Sequence, residues 1–334
     1  MEKTRQLLMN FLVYPLQSQS TVSYSEVPAR FYEPGILHGY RLTNHNISYY
    51  LKSIFNVHNE TGNIWTHLIG FVLVAYVLAQ YGTIFEFWKE RHSCPILIYG
   101  ITALVLNALS TNAHIFHSMS LSVHDIVYLL DYCGISFMGF GSGVLVLCMF
   151  TDDPTYRTVN SFYFALLWIS SFVLFAILCF LRLTPGMNKK IRKYLTVATC
   201  GTHLTLIAIL IAPRYYHCYM DSECSIWSLN NISLMFLLSA LQGFALGSHL
   251  PEVIFPGWFD ILGHSHQWLH IFSVWQEMTV LKVGYTELIR GSTRDRNFPT
   301  ISFLLSTTFL LLFMKLCFLF YMVRKHLKSR KHRH

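Results

Sequence analysis

Within Gly263-His264-Ser265-His266-Gln267-Trp268-Leu269-His270, two imidazoles stand four residues apart. On a helix, His266 and His270 share one face, one turn apart, and at that spacing both can bind one metal ion. A catalytic zinc site takes three protein ligands and keeps a fourth position open. Ser110-Thr111-Asn112-Ala113-His114 offers the third imidazole, His114, with Ser110 one turn before it. Leu129-Leu130-Asp131-Tyr132 adds a carboxylate. In such a set Asp131 can hold a water or act as general base, and Ser110 can orient a ring or a water. His264 and His117 are alternative ligands, and His124 lies nearby as a loop or interface residue. The rival account is packing, because a lone His in an apolar helix most often makes an interhelical hydrogen bond.

These groups meet only if their helices do. Hydrophobic residues make up 53% of the 334-residue chain and charged residues 13%, against about 25% charged in soluble domains. Apolar runs of spanning length recur at 64–84, 95–116, 127–150, 161–181, 194–212, 228–248, 266–285 and 299–323. The fold class is therefore all-α: a polytopic membrane bundle of a seven-helix core plus an eighth C-terminal transmembrane helix. The seventh run is the weakest by hydropathy. Its His266, His270, Gln276, Glu277 and Lys282 suit a helix facing the bundle interior. Residues 1–63 form a polar N-terminal segment punctuated by Pro and Gly, with a short amphipathic helix expected on the membrane surface over 49–55. The apolar patch from Leu7 to Leu16 is too short to span and ends in no convincing cleavage pattern. Residues 324–334 are a basic tail suited to anionic membrane lipids. The net charge of +8 resides in short loops and this tail, so membrane topology explains it and no nucleic acid is implied.

With the N-terminus inside, sixteen Lys and Arg fall on inner segments and seven on outer loops, so both termini are expected to be cytoplasmic. That topology brings His114, Asp131, His266 and His270 to one depth, near the cytoplasmic leaflet. Cys94, Cys218 and Cys224 all fall outside, where disulfides persist; Cys218–Cys224, Cys94–Cys218 and free thiols all remain open. The sequons at Asn46 and Asn59 fall inside and should be unused, and that at Asn231 lies close to the bilayer. Glu60, Asn63 and His67 open the first span on the histidine side, with Glu60 a cap, an ion-pair partner or a site residue. Lys315, midway through the eighth span, must face protein or snorkel.

Four stretches together resemble the progestin and adipoQ receptor family. They are Asn59-Glu60-Thr61-Gly62-Asn63-Ile64-Trp65-Thr66-His67, Ser110-x-x-x-His114, Leu130-Asp131-Tyr132-x-Gly134 and Ser265-His266-Gln267-x-x-His270. Glu26-Val27-Pro28, Gly35-Ile36-Leu37-x-Gly39-Tyr40-Arg41 and the eighth span are similar to its membrane progestin receptor branch. Glu60 to Leu68 looks as much like the adiponectin branch. The resemblance implies a seven-helix bundle unrelated to G-protein-coupled receptors, with zinc at its inner end on His114, His266 and His270 and a water near Asp131. It also implies a plasma-membrane receptor that binds a steroid, a progestogen, in the bundle and signals inward, with a G protein as a candidate partner. From the residues themselves, three imidazoles, a carboxylate and an apolar interior equally suit a zinc hydrolase cleaving the amide of a ceramide-like lipid. A third reading is a zinc ion that only staples the second, third and seventh spans.

Overall fold

The computed structural model describes residues 20–331 except Ser292. The Leu7 to Leu16 patch and the last residues of the basic tail lie outside the described residues. Nine α-helices follow in order among the described residues: α1 (Ile47–Ser53), α2 (Thr61–Gly82), α3 (Cys94–Phe116), α4 (Leu121–Leu145), α5 (Asp153–Leu183), α6 (Lys189–Met220), α7 (Asn230–Ser248), α8 (Ser265–Arg290) and α9 (Ile301–Lys331). A π-helical turn, Val146–Phe150, prolongs α4. Within the same residues no strand forms, and one isolated bridge joins Val22 to Tyr40.

Seven of these eight long helices are long and apolar enough to cross a membrane. The exception is α8, the seventh run of the sequence, whose polar residues lower its hydropathy. Its His270, Glu277 and Glu287 are buried, and it packs mainly on α7 and α2. A polar helix is tolerable in a bilayer when the protein itself satisfies its polar groups. Large apolar side chains line the outside of the bundle instead: Ile69, Val72 and Tyr76 on α2, Ile169 and Val173 on α5, Phe309 and Phe313 on α9. Exposed apolar surface on that scale suits hydrocarbon rather than water. The result is a polytopic helical membrane bundle.

The most enclosed helices are α3 and α4, and they form the most extensive helix pair. At Gly141 of α4 a Cβ would stand 2.0 Å from Thr102 Oγ1 of α3, so the close approach depends on the missing side chain. Phe137, Phe140, Tyr99, Ile96 and Leu145 are fully buried around this contact. Cys218 and Cys224 form a disulfide at the end of the bundle away from the histidines, while Cys94 is buried and free. Asn59 is buried, which closes that sequon to glycosylation in either orientation.

Lys315 faces protein. It is fully buried, and its Nζ donates to Ser136 Oγ of α4 and Ser171 Oγ of α5, both at 2.8 Å. The rings of Phe137 and Phe175 lie 5.8 and 5.9 Å away. This clasp ties the eighth span to the core. Replacing both Ser136 and Ser171 by Ala strands a buried ammonium and is expected to cost about 1–3 kcal/mol or more. Lys315→Met, which removes the charge as well, is expected to be nearly neutral. Thermal unfolding of the two variants in detergent distinguishes the cases, and equal losses would rule out this account of the clasp.

Candidate metal centre

The end of the bundle where α2, α4 and α8 begin and α3 ends gathers the polar groups. The i, i+4 spacing on α8 sets His266 and His270 on one face, as expected. His114, in the last turn of α3, meets them: His266 Nε2 lies 3.3 Å from His114 Nε2. Ring centroids are 4.8 Å apart for His114–His270 and 4.5 Å for His266–His270. One ligand nitrogen from each of the three falls within 4.8 Å of the others. Bonds of 2.0–2.1 Å at tetrahedral angles separate neighbouring ligand nitrogens by about 3.3 Å. The spacing thus fits a shared ion at the closest pair and needs a small closure at the widest.

Tautomers support the same geometry. His114 Nδ1 donates to Glu60 Oε2 at 2.7 Å, because an ionised carboxylate only accepts. Burial raises the Glu60 carboxyl, but His117 and His114 outweigh it and hold it well below the carboxylate range. The single Thr66 hydroxyl proton faces Gly62 O (2.8 Å) and Asn63 O (3.0 Å), which leaves the oxygen able to accept from His270 Nδ1, 3.1 Å away. With both Nδ1 atoms donating, the Nε2 lone pairs of His114 and His270 are left for a cation. The donor set therefore fits a metal ion, and three imidazoles with room for a further ligand suit zinc.

Backbone anchors explain why these side chains stay in place. Arg41, buried, donates to Ser53 Oγ (2.9 Å), Ile115 O (2.8 Å) and His114 O (2.6 Å). It thereby satisfies carbonyls that the end of α3 leaves open. Burial pushes His58 down to about 3, so the ring is neutral. It accepts from Glu60 N on Nδ1 (3.1 Å) and donates from Nε2 to Ser53 O (3.0 Å). Burial alone would raise Glu252, but bonds from His249 and Ser265 bring its carboxyl down to about 2. It accepts from Ser265 N at 2.8 Å, an anion at the N-terminus of α8. Gly35, at φ +84°, has no space for a Cβ, which would stand 2.3 Å from Glu252 O. Its carbonyl receives Gly257 N at 2.9 Å. Leu37 N and His38 N bond the two oxygens of Asp260 at 2.8 and 3.0 Å. The N-terminal segment and the loop 249–264 so close over the histidines as one roof.

Asp131 is buried and faces His114 and Ser110 across the α3–α4 contact. Its Oδ1 has no hydrogen-bond partner. Of the two alternative ligands, His264 is engaged elsewhere, its Nε2 3.2 Å from Asn59 O and 2.9 Å from Gln267 Nε2, and His117 Nε2 stands 3.3 Å from Glu60 Oε1 without a hydrogen bond. A buried polar chain also leaves the cluster along α8, which periodicity alone did not reveal. The His67 ring lies 4.1 Å from His270, and its Nδ1 bonds Asn107 Oδ1 at 2.7 Å. Asn107 Nδ2 then donates to Glu277 Oε2 at 2.7 Å. A cavity of about 490 Å³ opens from the roof side and reaches His114, His266, Tyr128 and Tyr132, within the size range of small-molecule sites, roughly 300–1,000 Å³.

Residues 55–279 match the family described as haemolysin-III related. Human membrane progestin receptor gamma is 30% identical over 258 residues, 75% of this chain and 76% of the relative. Mouse membrane progestin receptor beta is 30% identical over 258 residues, 75% and 72% of the two chains. The zebrafish (Danio rerio) gamma-B receptor is 26% identical over 305 residues, 86% and 88%. The matched region holds all three histidines and Asp131, and the chain therefore belongs to the haemolysin-III related family, the progestin and adipoQ receptors, as a membrane receptor of that type.

Proposed function

We propose that this chain is a plasma-membrane steroid receptor of the progestin type, binding a progestogen at the histidine end of the bundle and signalling inward, with zinc on His114, His266 and His270. The observation that carries the proposal is the cavity of about 490 Å³ that reaches two of the three histidines. The relatives' names supply the ligand class. Both termini are assigned to the cytoplasm. The Lys and Arg distribution supports this, as does a disulfide at the opposite end. A G protein on the inner face is the partner this orientation would permit. The test is saturable progesterone binding to membranes from expressing cells, with metal analysis of the purified protein. One zinc per chain and saturable binding are expected. Metal without steroid binding ends the progestin assignment, and steroid binding without metal ends the zinc assignment.

A second reading is favoured by Asp131, whose buried Oδ1 is unpartnered beside His114. It makes the chain a hydrolase of ceramide-like amides. Zinc, when bound, would supply Lewis acidity toward a carbonyl. In this reading Asp131 accepts a proton from the attacking water and Ser110 orients that carboxylate. Glu60 keeps His114 presenting Nε2. The two readings share one site and are compatible.

A further inference from the structure

The loop that roofs the histidines is inside out for a segment facing water. Between Leu250 and Gly263 its only charged side chains are Glu252 and Asp260, and these are 2 and 1% exposed. Both are turned inward: Glu252 accepts from Ser265 N, and Asp260 accepts from Leu37 N and His38 N. Gly257 N points the same way, to Gly35 O. The outward face is apolar instead. Ile254, Phe255 and Leu262 are 60, 53 and 55% exposed, and Trp258 is 42% exposed. Buried charges beneath large exposed apolar side chains mark a surface that something other than water covers.

That face does not end with the loop. Trp268 Nε1 donates to Gly263 O at 3.1 Å, and its ring stacks on Phe272 with centroids 6.0 Å apart. The loop is thereby joined to α8. Trp268, Ile271 and Trp275 are exposed and, at i, i+3 and i+7, form one apolar stripe down that helix. On a helix crossing a bilayer such a stripe faces lipid. Depth agrees. The 26 residues of α8 measure about 39 Å at 1.5 Å each, against about 30 Å of hydrocarbon and about 40–45 Å with the headgroups. A helix of that length, centred on the hydrocarbon, brings its first turn and the preceding loop to headgroup level, where amphipathic segments bury aromatic and aliphatic side chains. A protein partner seated on the loop would leave the stripe uncovered, whereas a lipid surface covers both without a break. We propose that residues 250–263 lie in the membrane interface, with Ile254, Phe255, Trp258 and Leu262 inserted among the lipids of the leaflet at the histidine end. The roof of the cavity is then a membrane-bound surface, held from outside by lipid and from inside by Glu252 and Asp260. This placement requires neither metal nor steroid in the cavity.

Spin-label accessibility tests it on the full-length protein in phosphatidylcholine nanodiscs. Cys317, the exposed free cysteine among the described residues, is first replaced by Ser. Nitroxides are then attached through Ile254→Cys and Phe255→Cys. The references are Phe313→Cys, on the outside of α9, and Pro185→Cys, in the exposed turn between α5 and α6 at the histidine end. At both loop sites, collision with dissolved oxygen is expected to rise, and collision with a water-soluble nickel chelate to fall, from the values at Pro185 toward those at Phe313. Values equal to those at Pro185 overturn the proposal. Protection from both oxygen and nickel also overturns it, because a second copy of the chain or another protein then covers the loop. Unmodified protein provides a second measurement that no misfolded variant can obscure. A phospholipid with a photoactivatable acyl chain should label residues 250–263 as it labels the peptide holding Phe313, and leave 184–186 unlabelled. Ile254→Glu combined with Phe255→Glu, which sets charges at that depth, should remove most of the loop label and keep the label at Phe313. An unlabelled loop in the parent, or a loop label unchanged by the two carboxylates, overturns the placement.

Discussion

Purified protein carrying His266→Ala is expected to hold less than about a tenth of the parent's zinc after dialysis. Loss of a residue that merely supports a metal ligand costs about 10–100-fold in affinity, and loss of a ligand should cost more. Three nitrogens lie within 4.8 Å of one another; of the neighbouring imidazoles, His264 bonds Asn59 O and His117 lies against Glu60. His264→Ala is the matched control, since it removes an imidazole two residues away and should leave the metal in place. Equal metal in the His266→Ala protein and the parent would refute the three-histidine site. Stripping the metal from the parent should leave the bundle folded. The main core is built around Phe137, Phe140 and Leu145 of α4, away from the histidines, and Arg41 and Glu252 anchor α3 and α8 by bonds that need no ion. Global unfolding on chelation would instead favour a zinc that only staples helices.

The helices were legible because a bilayer demands long apolar runs, and eight such runs correspond to α2 through α9. Their ends were not, because hydropathy registers only the apolar part of a helix. The fifth run, 194–212, became Lys189–Met220, passing through Pro213. Asp152 starts α5 well before its apolar run by accepting from Thr155 N at 2.8 Å. The meeting of His114 with His266 and His270 was legible from topology, because alternating spans fix which helix ends share a depth. Pairings between distant polar residues had no such signal. Glu60 and His114 are 54 residues apart, Arg41 and His114 O 73, and Asn107 and Glu277 170. Nothing in a helical period says that a carboxylate one residue before a span will seat the histidine ending the next. What could be read was the cost of a charge at that depth, which turned Glu277 toward the bundle interior and left Glu60 a cap, an ion-pair partner or a site residue, with no partner named. The place of Arg182 and Arg192 at the cavity escaped for a related reason. Arg182 and Arg192 enter a topology count as inner-loop charges, and only the folded chain turns them toward a cavity shared with His266.

Asp131→Asn and Glu60→Gln should fail differently, and the contrast separates chemistry from assembly. In Asp131→Asn the amide keeps nearly the volume of the carboxylate and loses its capacity to accept a proton. Asp131 has no bond to a ligand histidine, so the metal should stay. If ceramide-like amides are substrates, hydrolysis should fall by about 10²–10⁴-fold, the range ascribed to a positioned acid or base. Glu60→Gln acts one step further out. Its amide can present either oxygen or nitrogen to His114 Nδ1 and carries no charge to oppose the two imidazoles that the carboxylate faces, His114 at 2.7 Å and His117 at 3.3 Å. Zinc affinity should drop about 10–100-fold, and any hydrolysis should return when zinc is supplied in excess. Zinc rescue of Asp131→Asn, or failure of zinc to rescue Glu60→Gln, would reverse the roles assigned here. A parent with full zinc content and no amidase activity would leave Asp131 without a reaction to serve and leave receptor binding as the sole reading of the site.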